Sequence, residues 1–371
     1  MSRVITPTIV VVSATETVAP TPSVYQQSGA AVSVGGTTLT ANTFQYCATL
    51  AAGQALLSST GNYVEVGNML TSFFAQQSAT GATIGIYILE LGVQESGAAG
   101  ITALDTWDTA NPSAFYAYLP PATWDAEGSQ LNTWAETFAS PSGKKYVFPT
   151  TTEATISAYA GTKSLITTAP SPTAASTEFQ AAGAFYQWLV NNPSAGTPVP
   201  PMGFRFLYGF TPWATTNNGT TIQEILSAYG NIVLTGAEGG ISTACLFEGT
   251  TMDGNQAGFW YAADWLQIQA KLQLANALIN ASNSLNPIYY NQAGINRLLT
   301  IIQDLCTDGI SYGLLLSATP AAIPFNTYVA ANPGDYAEGI YNGFSCEATP
   351  QTGFLQIQFS VNFSSFAAAA A

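Results

Sequence analysis

Near its C-terminal end the chain carries a stretch, residues 353–366, in which Leu355, Ile357, Phe359, Val361 and Phe363 alternate with Gln356, Gln358, Ser360 and Asn362. A period of two is the mark of a half-buried β-strand, with alternate side chains on opposite faces. A strand needs a sheet to join. The other end carries a second β-prone run, Ile9, Val10, Val11 and Val12, set between Pro7 and the pair Pro20 and Pro22. Such arms can join the sheet of their own domain or, by strand addition, the sheet of a neighbouring molecule. The second arrangement would make this a self-assembling protein.

Charge supports that arrangement. Only 8% of the 371 residues are charged, against roughly 25% in ordinary soluble domains. A neutral polar surface suits one covered by other subunits. It also suits a secreted or surface-displayed β-rich protein, and composition does not separate the two. The net charge of −14 with seven cations argues against a nucleic-acid partner, because phosphate binding needs clustered Lys and Arg. No run of about 18 apolar residues is present, so membrane insertion is not expected. Arg3 precedes the run at Ile9, but that run is too short and too broken by Thr and Pro to read as a signal-peptide core. Cys47, Cys245, Cys306 and Cys346 are scattered without metal-ligand spacing. They are expected to be reduced and buried, in a chain folded in a cytoplasm.

Along the chain, residues 1–23 read as an extended arm. Residues 66–77, with Met69, Leu70, Phe73 and Phe74 at helical spacing, predict a helix. Residues 83–91 (TIGIYILEL) predict a strand covered on both faces. Residues 115–119, 146–148 and 165–168 are further strand candidates, and 177–190 reads as a helix stopped near Pro193. This alternation predicts an open, layered α/β structure. The Pro- and Gly-rich residues 192–212 read as a domain boundary. Beyond it, 221–229 predicts a short helix, and 231–235 and 241–248 predict paired strands. Two long helices follow, at 261–280 and 292–305. Asn291 is the expected N-cap of the second, and Gly309 and Gly313 its expected end.

Residues 254–315 resemble contractile-phage tail sheath proteins, in particular a short, divergent sheath-like family of myophages. The matching positions are Asp264, Trp265 and Leu266 on the first long helix. Pro287, Ile288, Tyr289, Gly294 and Ile295 match around the linker to the second, and Leu355 to Phe363 match the closing strand. The resemblance covers about the last 40–45% of the chain; residues 24–190 match only in size and α/β character. It implies a mixed α/β, two-domain architecture. Residues 1–23 would be an N-terminal arm, 24–195 an outer domain, 196–350 an inner domain facing a tail tube, and 351–371 a C-terminal strand arm. It implies a helical homo-oligomer of stacked rings, with tube, baseplate and tail-terminator proteins as partners. The setting would be a virion tail assembled in the host cytoplasm. An open head-to-tail interface generates such a filament, and strand addition gives joints that survive rigid-body rotation. Related sheaths grip an acidic tube with inward-facing cations. Few cations are available here, and Lys271 and Arg297 on the matched helices are the candidate tube contacts; the alternative is an ordinary solvated or internally paired role.

The chain contains no histidine, which removes Ser-His-Asp and Cys-His catalysis and His-ligated zinc. No phosphate-binding glycine motif follows a strand. No cofactor is expected. Asp105 and Asp108 flank Trp107, and Asp125 and Glu127 follow Trp124. Acids beside aromatics could form a sugar-cleaving cleft, which would fit the secreted carbohydrate-binding alternative. The expected state of these acids is a solvated loop, and no enzymatic activity is expected. Another tail or baseplate component is the remaining alternative.

Overall fold

The computed structural model describes residues 24–80, 84–140, 142–193, 197–237 and 241–355. The fold is mixed α/β, built on one hydrogen-bonded ribbon of strands. β1 (Gly29–Ser33), β2 (Thr43–Cys47), β3 (Ile86–Glu90), β4 (Ala117–Leu119) and β5 (Tyr146–Val147) lie in the order β2-β3-β1-β4-β5. β1 runs parallel to β3 and β4, β4 parallel to β5, and β2 closes one edge antiparallel to β3. β6 (Thr168–Ala169), β7 (Asn231–Ala237) and β8 (Ile241–Phe247) continue the ribbon in the order β6-β7-β8. The two groups are joined by parallel bridges, Val147 to Leu165 and Thr150 to Thr168. At the far edge Phe204 N–H donates to Leu246 C=O at 2.8 Å and Leu207 N–H to Ala244 C=O at 2.8 Å. The strands on either side of residues 192–212 therefore share one sheet.

Helices cover both faces. On one side lie α1 (Leu50–Gln54), α2 (Tyr63–Thr80), α5 (Gln180–Leu189) and the start of α7 (Ala257–Ser282). Their Leu70, Phe73, Phe185, Trp188 and Trp265 pack with Ala31, Ile86, Ile88 and Tyr146 of the sheet. On the other side lie α3 (Gly97–Ala110), α4 (Gly128–Glu136) and α6 (Gly219–Ser227), packing Leu104, Trp107, Trp134 and Ile225 against Ala30, Val32, Leu89 and Tyr118. The pleat explains the division: Ala30 and Val32 face one layer and Ala31 the other. β1 is buried along its whole length, as expected for parallel strands covered twice.

α3 corrects an expectation. Asp105 and Asp108 lie on a helix capped by Ser96, which accepts from Ala99 N–H at 3.1 Å, and not on a solvated loop. Asp108 is buried and paired with Lys145 (Nζ to Oδ2, 2.5 Å), and Tyr118 donates its hydroxyl to Oδ1 at 2.5 Å. The carboxylate points inward because a cation and a phenol meet it there, and no local sequence pattern records that meeting. Asp125 is likewise engaged, accepting from Thr155 Oγ1 (2.7 Å) and Tyr159 OH (2.9 Å).

Candidate assembly interface

Beyond the first turns of α7 much of the chain extends away from the layers, apart from Leu305, Leu314 and Leu315, which pack into them. α7 has 26 residues, about 39 Å of helix, and only its first third is held by the body. Tyr261, Ala262, Asp264 and Trp265 are buried, whereas Leu272, Leu278 and Ile279 are exposed. The anchor is Asp264. Its Oδ2 accepts from Tyr116 OH at 2.9 Å and Tyr146 OH at 2.8 Å, tying α7 to strands of the sheet. Gln26 completes the network, donating to Tyr261 C=O (3.1 Å) and Tyr116 OH (3.4 Å). Asp264 Oδ1 and Gln26 Oε1 are buried without a hydrogen-bond partner.

Burial pushes the Asp264 carboxyl up to about 6, against the opposing pull of Tyr146, Lys163, Tyr116 and Lys144. The folded form therefore holds its proton more tightly than the unfolded chain, whose ordinary value is 3.8. This group's stabilising contribution is complete below pH 3.8 and disappears as pH rises through about 6. A difference of that size between the folded and unfolded chain corresponds to about 3 kcal/mol. Asp264→Asn removes that dependence: its stability should gain about 3 kcal/mol relative to the parent between about pH 4 and pH 7. Urea denaturation of both proteins at the two pH values tests this. Parallel pH profiles would refute it.

α8 (Gln292–Ser311) turns back along α7 and begins at Asn291, whose side chain accepts from Gly294 N–H at 2.9 Å. The expected cap is confirmed. Gly309 does not end the helix. It lies inside α8, where a Cβ would meet Leu315 Cδ1 at 2.8 Å and Trp265 at 3.1 Å. Its missing side chain lets α7, α8 and the next strand approach closely. The turn falls at Gly313, with φ of 70°, a value favouring glycine after a helix.

There follow β9 (Leu315–Ala322), α9 (Phe325–Ala331), α10 (Pro333–Glu338) and β10 (Phe344–Pro350). β9 and β10 form an antiparallel ribbon of two strands only. Nine of its fifteen residues are exposed, with Leu316 63% accessible. An isolated two-stranded ribbon is marginal in water. This one is held by its connection: Phe325 packs edge to face on Tyr290 and Tyr336, which pack tilted on one another, and Tyr341 packs on Tyr328 and Phe344. Tyr328 OH donates to Asp335 at 2.6 Å and Tyr341 OH to Ile323 C=O at 2.5 Å. Among the described residues neither outer edge of the ribbon is paired. Eleven of the eighteen exposed large apolar or aromatic side chains among the described residues lie after residue 270, most of them on the long helices, the linkers and β9.

The chain leaves β10 across the body. Gly353 and Gln256 exchange two hydrogen bonds of 2.8 Å. Leu355 is half-buried near Gly203 in irregular backbone. The other arm positions, Ile9, Val10, Val11, Val12, Ile357, Phe359, Val361 and Phe363, lie outside the described residues. Lys271 is exposed on α7, in a groove with Tyr25, Phe138, Lys144 and Lys145. Arg297 is exposed on α8 but donates to Pro287 C=O (3.1 Å) and Asn286 C=O (3.3 Å), bracing the linker between the long helices. It lines a different groove from Lys271. Asp125 and Glu127 share a shallow depression that includes neither Asp105 nor Asp108. Cys47, Cys245 and Cys306 are buried, and Cys346, contrary to expectation, is exposed on β10. Among the described residues no helix is long and apolar enough to cross a membrane.

No protein-family model matches the chain, and no curated protein sequence matches it. Its fold is nonetheless shared over nearly its whole length with solved structures. A chain of the anti-feeding prophage baseplate superposes with a TM-score of 0.65 at 11% identity, over 97% of this chain and 99% of that one. A chain of the helical sheath of the same particle in its contracted state gives 0.58 at 11% identity, with the same coverage. The sheath tail protein of Listeria innocua gives 0.55 at 7% identity, over 90% and 96%. At such identities the likeness is one of fold, and this fold is the one seen in those baseplate and sheath chains. The likeness thus also takes in residues 24–190, which the sequence matched only in size and α/β character.

Proposed function

We propose that the chain is the structural subunit of a contractile tail sheath, polymerising as a helical tube of stacked rings around a tail tube. The observation that carries this is the full-length likeness to a contracted helical sheath. The β9–β10 ribbon supports it: its outer edges are open among the described residues and Leu316 on β9 is exposed, which suits strand addition from neighbouring copies. The arms at residues 9–12 and 355–363 are the donors. α7, α8 and the ribbon face the neighbours and the tube, and residues 24–195 form the outward surface. Lys271 and Arg297 touch the tube protein, and baseplate and terminator proteins meet the end rings. Contraction rotates rigid bodies about strand joints that stay paired and drives the tube through the envelope. The role is mechanical, with no catalytic step, in a tail assembled in the host cytoplasm.

Electron microscopy of the purified full-length chain across a concentration series tests this reading. Hollow tubes of uniform diameter are expected. Monomers at every concentration, or finite closed rings, count against it, and rings favour a baseplate component.

A further inference from the structure

Two thiols distant in sequence meet between α8 and the β9–β10 ribbon. Cys306 is buried on α8 and Cys346 is exposed on β10, opposite Pro320 of β9. They are 40 positions apart in the chain, and their Sγ atoms lie 3.6 Å from one another. The other two cysteines behave differently. Cys47 and Cys245 are each buried, and their thiols point at the backbone carbonyls of Gln45 and Leu234. Sulfurs in contact need approach by only about 1.5 Å to reach bonding distance, and one of this pair is open to solvent.

We propose that Cys306 and Cys346 form a redox site, closed to an intramolecular disulfide by a small-molecule disulfide such as oxidised glutathione, that clamps the β9–β10 ribbon onto α8. The Cys346 thiolate attacks one sulfur of the oxidant. The oxidant's S–S bond breaks, and its first thiolate leaves and takes up a proton. Cys306 then gives up its proton to water and attacks Cys346 Sγ, expelling the second thiolate. Two protein thiols are oxidised to one disulfide while one small-molecule disulfide is reduced to two thiols. Exposed Cys346 is the attacking group and buried Cys306 the resolving one. Burial raises the Cys306 thiol, so ring closure accelerates as pH rises. The bond closes a loop containing β9, α9 and α10 and limits motion of the ribbon against the long helices. A reducing medium leaves the clamp open. This site does not depend on the sheath reading, and its failure would leave that reading intact.

The test treats the full-length chain with oxidised glutathione, denatures it, blocks the remaining thiols with iodoacetamide and maps peptides without reduction. A linked Cys306–Cys346 peptide is expected, with Cys47 and Cys245 still alkylated. Cys306→Ser should trap a glutathione adduct on Cys346, and Cys346→Ser should leave Cys306 unmodified by glutathione. Amide exchange in β9 and β10 should slow at least tenfold in the oxidised chain. Alkylation of both cysteines, a lasting adduct on Cys346 in the parent chain, or a disulfide between two chains would overturn the site. Unchanged exchange in the linked protein would overturn the clamp.

Discussion

Removing residues 1–20, or residues 354–371, should abolish tube formation while leaving the monomer folded. Among the described residues both buried clusters are built from residues 30–315, and the Gly353–Gln256 hydrogen bonds survive the second truncation. Monomer stability should therefore change by no more than about 1 kcal/mol, the range of changes outside a core. Assembly is different, because in the proposed sheath each joint depends on a donor strand. The alternating run from Leu355 to Phe363 would supply one apolar face to such a joint, and among the described residues β9 and β10 each have an open edge to receive it. Loss of a donor removes a row of backbone hydrogen bonds and a row of apolar contacts from every subunit at once. The expected result is loss of tubes under conditions where the full chain forms them, with the circular dichroism spectrum retained. Tubes of parental diameter from either truncation would sink the strand-addition model, whereas an unfolded truncated monomer would show that the arms belong to the core.

The sequence discloses the elements whose environment is simple. Asn291 followed by an amphipathic run marks α8, because capping and a one-sided apolar stripe are local signals. The apolar residues 83–91 mark β3, since a strand covered on both faces has no polar side. β5 and β6 are legible only roughly: two residues each carry no periodicity. β9 and β10 leave no such mark, for a physical reason. Their sequences, LLSATPAA and FSCEATP, mix small and polar residues and include Pro320, because most of the ribbon lies in solvent and has no face to bury. The acceptor part of the candidate interface is therefore hidden in the sequence, while the donor pattern at Leu355 to Phe363 is plain. Asp264 is visible only as part of the Asp264–Trp265–Leu266 resemblance. Its role depends on Tyr116 and Tyr146, 148 and 118 positions away, and no local pattern records contacts of that span. Asp108 reads as a loop acid for the same reason, its partner Lys145 lying 37 positions on.

Lys145→Met should be the most destabilising single substitution in the body, by about 3–5 kcal/mol. Lys145 Nζ reaches both Asp108 oxygens, at 2.6 and 2.5 Å, and both side chains are more than nine-tenths buried. Methionine keeps the apolar stem but leaves the carboxylate with only the Tyr118 hydroxyl. A buried charge without its counter-charge must then be protonated or hydrated, and either disturbs the packing of α3 against β4. The ammonium also sits 5.0 Å from the Phe138 ring centroid, a smaller contribution of about 0.5–1 kcal/mol. The double variant Asp108→Asn with Lys145→Met separates these effects. Removing both charges should recover most of the loss, since replacing a buried pair costs far less than breaking it. Urea denaturation of the two single variants and the double variant completes the cycle. If the double variant is as unstable as Lys145→Met alone, the loss comes from packing around the lysine stem, and the ion pair contributes little to holding α3 in place.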